Sequence, residues 1–293
     1  LSTMNQLGIH ALVWAGDLSP QSIRHVIAQT HQAGYGLVEL SLHGPRIMDL
    51  ALTRDLLQEH GLAVGCSRGL TFDADVSSED PAVVARGIAM LQEGIDITQR
   101  IGGRYFGGVL YSAMAKYGHP CSPQGRRHAL EALRRVADFA GERGVTLGLE
   151  VVNRYESHVL NTAAQALEFI DEAGCANLCV HLDTYHMNIE EADLATPVLA
   201  CGDRLGYVHI GENHRGYLGS GHIDFTRFFD ALARIGYRGT VTFESFSSSV
   251  VNEQLSNALG IWRNLWDDGM DLARHAHGFM AEGLAQAHGR ARP

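Results

Sequence analysis

The feature that most constrains the fold is a repeating unit: a short apolar run, a glycine-rich or polar turn, then a helix-patterned stretch. Candidate strands fall at residues 7–14, 37–42, 63–70, 104–111, 146–152, 178–186, 206–212 and 239–246. Several are continuously apolar rather than alternating, as in strands buried on both faces of a parallel sheet. The helical stretches open on Ser19-Pro20, Ser78 to Pro81, Ser122-Pro123 and Asn161-Thr162, where a polar cap or a first-turn proline favours a helix start. They stop at Ala33-Gly34, His60-Gly61, Ile101-Gly102-Gly103, Arg143-Gly144, Ala173-Gly174 and Ile235-Gly236, where glycine supplies a left-handed cap. Such alternation implies parallel βαβ units. Eight of them predict an α/β protein with a closed (β/α)8 TIM barrel. An open doubly wound sheet competes, but the turn after Trp14 lacks the G-x-G-x-x-G of a nucleotide-binding turn.

A barrel of this type needs about 250 residues, so the 293-residue chain is expected to hold one barrel domain over residues 4–293. Met4 is read as the native start, with residues 1–3 a remnant ahead of it. The tail from residue 252 to about 284 is expected to form one long or broken helix closing the barrel. No leader pattern opens the chain, and no apolar run approaches the ~20 residues of a membrane span. The five cysteines, Cys66, Cys121, Cys175, Cys179 and Cys201, form no C-x-x-C pair. They are expected to be reduced thiols in a cytoplasmic protein without membrane partners. A net charge of −10 opposes nucleic-acid binding, which depends on neutralising phosphates. The pairs Arg126-Arg127 and Arg134-Arg135 are read as solvated helix faces.

Active sites of such barrels lie at the C-terminal ends of the strands. There the chain places Glu150, Asp183, His209 and Glu244, each embedded in an apolar run on strands five to eight. A charge inside a buried strand is costly unless it is paired or holds a metal. One could be an interior ion pair; four at one end of the barrel point to a cation site. Three carboxylates and one imidazole suit Mn²⁺, Mg²⁺ or Co²⁺, whereas structural zinc favours Cys and more His. Glu156, His186, Glu212, His214 and Arg215 follow these strands as candidate substrate contacts.

At these residues the chain resembles the ketose 3-epimerases, the group of D-tagatose, D-allulose (D-psicose) and L-ribulose 3-epimerases among xylose-isomerase-like barrels. The resemblance rests on Leu149-Glu150-Val151-Val152-Asn153-Arg154-Tyr155-Glu156, His181-Leu182-Asp183-Thr184-Tyr185-His186-Met187-Asn188, His209-Ile210-Gly211-Glu212 with His214-Arg215-Gly216, and Phe243-Glu244-Ser245-Phe246. It implies a metal held by Glu150, Asp183, His209 and Glu244, usually Mn²⁺ or Co²⁺, with Mn²⁺ favoured. It implies Glu150 and Glu244 as the acid/base pair, and Glu156, His186 and Arg215 holding the substrate near O1 and O2. The implied substrate is a free ketose inverted at C3: L-ribulose, D-fructose/D-allulose or D-tagatose. A homodimer or homotetramer is implied as well. His10 stands where several members carry an aromatic residue, which resembles the L-ribulose 3-epimerase branch. Trp14, Cys66, Leu110 and Tyr111 end strands one, three and four and are candidates for the same pocket.

Other enzymes on this scaffold remain open: an aldose–ketose isomerase, a hydroxypyruvate-type isomerase, an inosose dehydratase or a metal-dependent abasic-site endonuclease. The loop from Gly216 to His222 lacks the Lys-Ser/Thr of a P-loop and is expected to be a flexible rim. Trp262 and Trp266, four apart, are expected on the terminal helix as a packed stripe or a subunit contact.

Overall fold

A computed structural model describes residues 5–44 and 46–291. The expected native start at Met4 and the remnant at residues 1–3 lie outside the described residues. Eight parallel strands close into a barrel in chain order: β1 (Leu7–His10), β2 (Leu37–Ser41), β3 (Ala63–Ser67), β4 (Tyr105–Gly108), β5 (Thr146–Glu150), β6 (Leu178–Asp183), β7 (Leu205–Ile210) and β8 (Thr240–Phe243). Pairing of Leu7, Gly8 and Ile9 with Val241, Thr242 and Phe243 seals β1 to β8. Closure leaves no unpaired edge. It also explains the unbroken apolar runs, because β2 and β6 are buried at every position.

The helices are α1 (Pro20–Gln32), α2 (Leu50–Glu59), α3 (Pro81–Arg100), α4 (Pro123–Gly141), α5 (Ala163–Ala173), α6 (Thr184–Glu190), α7 (Thr196–Cys201), α8 (Phe225–Arg234), α9 (Glu253–Leu259) and α10 (Gly269–Arg290). Ser19 and Ser122 cap α1 and α4 ahead of the first-position prolines, and Thr162 with Gln165 forms a capping box on α5. At α3 the cap is Asp80, within the expected Ser78 to Pro81 start, with Pro81 at the first position. Gly174 ends α5 with φ 68°, the left-handed geometry that glycine adopts without a Cβ penalty. No helix among the described residues is long and apolar enough to cross a membrane.

Several strands end earlier than expected, and local hydrogen bonds account for two of them. β1 stops at His10 because its imidazole accepts the Leu12 N–H and starts a 3-10 turn over Ala11–Val13. β6 stops at Asp183, not at His186, because the Asp183 carboxylate accepts the Tyr185 N–H and caps α6. That turn brings His186 back over Asp183. The tail takes the broken form: α9 and α10 flank a non-helical segment at 260–268. Trp262 and Trp266 lie on this segment, so they form no helical stripe. Trp266 is buried and donates its indole N–H to Ser245 Oγ at 2.9 Å, whereas Trp262 is exposed.

Deep in the barrel, Tyr105 and Tyr207 stack with centroids 4.0 Å apart. The Tyr105 hydroxyl lies 2.8 Å from His181 Nδ1, and that of Tyr207 lies 2.7 Å from Thr242 Oγ1. Gly107 and Gly148 leave room for the Tyr105 ring tip, which a Cβ at either position would overlap. This aromatic plug is the floor beneath the polar layer.

Candidate active site

Register sets the polar layer. Glu150 of β5 lies opposite His181 of β6, Asp183 opposite His209 of β7, and His209 opposite Thr242 of β8. Glu244 follows β8 by one residue, so all four sequence-predicted acids and imidazole reach the C-terminal mouth together. All four are buried. One ligand atom from each of Glu150, Asp183, His209 and Glu244 lies within 4.8 Å of every other. His209 Nδ1 stands 3.4 Å from Glu150 Oε1 and 3.6 Å from both Asp183 Oδ2 and Glu244 Oε1.

This packing has an electrostatic cost. Burial pushes the Glu244 carboxyl well above its usual range, and Asp183 and Glu150 push it further, against the pull of His209 and Arg215. Burial also works to raise Glu150 and Asp183, but the surrounding histidines outweigh it: His181, His209 and His186 hold Glu150 low, and His186 and His209, with Arg215, hold Asp183 low. Burial works to lower His209, yet Glu39, Glu244 and the other two carboxylates keep it well above the ordinary imidazole range.

A cation fits this set on the geometry alone. Asp183 Oδ2 and His209 Nδ1 are buried without any hydrogen-bond partner. Such atoms are expensive to leave bare, and both belong to the cluster of oxygen donors plus one nitrogen that suits a hard or borderline divalent ion.

Around the cluster, the His186 Nδ1 accepts the Asn153 N–H at 3.0 Å. Its Nε2 lies 3.9 Å from carboxylate oxygens of Glu150, Glu156 and Asp183. Glu156 accepts from Asn153 Nδ2 at 3.3 Å. Arg215 has φ 61°, and its guanidinium lies between the rings of Tyr185 and Phe246, 3.8 and 4.7 Å from their centroids. Its terminal nitrogen is 3.7 Å from Glu244 Oε2. His186, Glu156, Arg215, Glu244, Phe246 and His10 line a cavity of about 40 Å³. That cavity shares Leu12, Ser41, His43, Gly69, Met114 and Leu255 with an outer chamber of about 190 Å³. A larger groove of about 590 Å³ runs outside the barrel beside α3, away from the carboxylates.

Some expected contacts are elsewhere. Trp14 donates its indole N–H to Thr30 Oγ1 of α1 at 3.1 Å and packs in the core. Cys66 points out of the barrel, with its thiol against Thr98 of α3. Neither lines the cavity: the 3-10 turn after His10 carries Trp14 off the strand, and alternate residues of β3 face opposite sides, so Ser67, one residue on from Cys66, does line it. The Tyr111 hydroxyl donates to the Glu150 backbone carbonyl at 2.6 Å, and Leu110 is core. Glu212 accepts backbone N–H groups from Asn213, Gly219 and Ile223, so it pins the following loop instead of facing the pocket.

Two further buried polar residues belong to the same layer without ending a strand. Glu39 and His181 lie within β2 and β6 rather than at their ends. The signal was present in Leu37-Val38-Glu39-Leu40: a lone acid in an apolar strand, the same anomaly that marked the other four. Glu39 Oε2 lies 2.7 Å from His209 Nε2.

A barrel with this buried acid–imidazole mouth matches a known family model described as xylose isomerase-like TIM barrel, over residues 27–276. The L-ribulose 3-epimerase of Methylomonas sp. (strain DH-1) is 50% identical over 277 residues, covering 94% of this chain and 97% of that protein. The ketose 3-epimerase of Arthrobacter globiformis is 50% identical over 279 residues, covering 95% and 96%. A crystal structure of the D-allulose 3-epimerase from Methylomonas sp. in complex with D-allulose matches with a TM-score of 0.93 and 50% identity, covering 96% of this chain and 97% of that one. The chain belongs to the xylose isomerase-like TIM barrel family and, within it, to the ketose 3-epimerases, isomerase-class enzymes acting on carbohydrates.

Proposed function

We propose that this chain inverts C3 of free ketoses, with L-ribulose and D-allulose as leading substrates, at a divalent cation, Mn²⁺ by preference, held by Glu150, Asp183, His209 and Glu244. The observation that carries the reading is the pair of carboxylates Glu150 and Glu244. They reach one cavity from the end of β5 and from the residue that follows β8. The relatives named for L-ribulose and D-allulose support the substrate class.

The C3 proton of a ketose is acidic because the C2 carbonyl accepts the charge left by its removal, giving an enediolate. Inversion requires proton removal on one face and return on the other. Two carboxyl groups that reach the sugar from separate strands are suited to that division of labour. One of Glu150 and Glu244, ionised, takes the C3 proton, and the other returns a proton to the opposite face. In the reverse direction the two exchange roles. A bound divalent cation supplies positive charge against the negative charge developing at O2 and O3. His186, Glu156 and Arg215 hold the O1–O2 end, which keeps C3 between the two carboxylates.

The test is incubation of Mn²⁺-loaded protein with L-ribulose, D-fructose and D-tagatose in D₂O, followed by NMR. Expected products are the C3-inverted ketoses, L-xylulose, D-allulose and D-sorbose, each with deuterium at C3. Formation of an aldose instead would transfer the protein to the isomerases.

A further inference from the structure

Glu39 is a fully buried carboxylate that the proposed chemistry leaves unused. It leaves β2 beside His10 in the register of β1 and β2 and crosses the barrel interior to reach His209 on β7, where its Oε2 is 2.7 Å from Nε2. Its other oxygen, Oε1, has no hydrogen-bond partner and lies 3.5 Å from His10 Nε2. Burying a carboxylate costs several kcal/mol, and apolar replacements of buried ion pairs are often neutral or stabilising. Barrel stability therefore does not explain why an acid occupies this place.

The geometry of His209 does. To take a cation, His209 must be the neutral imidazole, with one N–H and one lone pair, and the nitrogen bearing the hydrogen is set by what the other side meets. A carboxylate at Nε2 can only accept, so it keeps the hydrogen there and frees the lone pair on Nδ1. Nδ1 is the nitrogen that faces Glu150, Asp183 and Glu244. The same carboxylate has a second interaction to offer. His10 Nδ1 accepts the Leu12 N–H at 3.3 Å, so its hydrogen sits on Nε2, toward Glu39 Oε1 and, at 3.8 Å, Glu244 Oε1. Glu39 thus lies beneath two imidazoles of the site.

We propose that Glu39 is a positioning residue: accepting the His209 Nε2–H, it fixes the tautomer and ring plane that turn Nδ1 toward the carboxylate cluster, and so sets the cluster's affinity for a divalent cation. The proposal rests on the cation reading of Glu150, Asp183, His209 and Glu244. Partners of this kind change metal affinity by about 10–100-fold when removed.

The experiment titrates the metal-free protein with Mn²⁺ by calorimetry and by the loss of the free-ion EPR signal. It compares the parent with Glu39→Leu and Glu39→Gln. Expected is an Mn²⁺ Kd about 10–100-fold weaker in Glu39→Leu, with the metal-free melting temperature equal to or above the parent's. Glu39→Gln, whose amide oxygen can still accept, should recover part of the affinity, and it stands in if the Leu variant fails to fold. In Mg²⁺-loaded, ¹⁵N-His-labelled parent, His209 should show a slowly exchanging, downfield Nε2–H that Glu39→Leu loses. A purely structural Glu39 would lower the melting temperature and leave this signal and the Kd in place. Parent protein that binds Mn²⁺ while both variants match its Kd overturns the role of Glu39 alone. Parent protein without saturable Mn²⁺ binding overturns the cation reading, and the proposal with it.

Discussion

Asp183 Oδ2 and His209 Nδ1 face each other at 3.6 Å, both buried and neither hydrogen-bonded. Neither atom has a hydrogen-bond partner in the protein, so a cation would meet ligand atoms that the metal-free fold leaves unused. Mn²⁺ should raise the melting temperature, because a ligand that binds only the folded form adds about 2.7 kcal/mol at a hundredfold excess over its Kd. Excess EDTA should reverse the rise. Asp183→Asn and His209→Ala should abolish it. Differential scanning fluorimetry checks this, and a melting curve indifferent to Mn²⁺ would count against the cation site.

The two carboxylates can be told apart by isotope. Glu150→Gln and Glu244→Gln should each cut epimerisation about 10²–10⁴-fold or more, the usual range for a lost acid or base. Each variant keeps one carboxylate, and so one face of C3. Loaded with Mn²⁺, each should wash deuterium from D₂O into C3 of one epimer without inverting it, and the two variants should exchange opposite epimers. Exchange of the same epimer by both would contradict a two-carboxylate mechanism.

Glu244 also predicts how the metal-free protein responds to pH. Its folded pKa is raised, first by burial and then by Asp183 and Glu150, above an unfolded value of about 4.3. The folded protein therefore holds a proton that the unfolded chain releases. The associated stability is present below the unfolded value and is lost as pH rises through the folded one, at up to about 1.4 kcal/mol per pH unit. Glu244→Gln cannot ionise. Without metal at neutral pH it should melt above the parent, and its melting temperature should fall less steeply with pH. With Mn²⁺ present the order should invert, since a ligand has been lost. Melting curves across pH, with and without EDTA, test both halves.

Most of the barrel was legible because each unit carries its own punctuation: the serine–proline starts of α1 and α4, the capping box at Thr162, the glycine after α5. The acids of β5, β6 and β8 and the imidazole of β7 stood out because an apolar strand has no other use for them. What the sequence concealed was orientation. Cys66 and Trp14 end their runs as plausibly as Ser67 does, yet the pleat and the 3-10 turn after His10 send them to the helix layer. Glu39 was hidden because its partner His209 lies 170 residues away, and no local pattern records a contact across the barrel interior.

Arg215 is held by shape as much as by charge, and that separates binding from chemistry. Its planar guanidinium fits between Tyr185 and Phe246. Its backbone, at φ 61°, is fixed by Ser245 Oγ donating to the Arg215 carbonyl, and Ser245 is held in turn by Trp266. Arg215→Lys keeps the charge but loses the stacked plane and the fork of donors. A desolvated cation–π contact is worth about 2 kcal/mol, so KM for L-ribulose should rise about tenfold or more. In the proposed mechanism the proton-transfer step runs through Glu150 and Glu244, and Arg215 would orient the substrate toward them without replacing either. The fall in kcat should accordingly be smaller than the rise in KM. Steady-state kinetics on the Mn²⁺-loaded variant decide: a collapse in kcat at unchanged KM would make Arg215 part of the proton transfer instead of a clamp on the O1–O2 end.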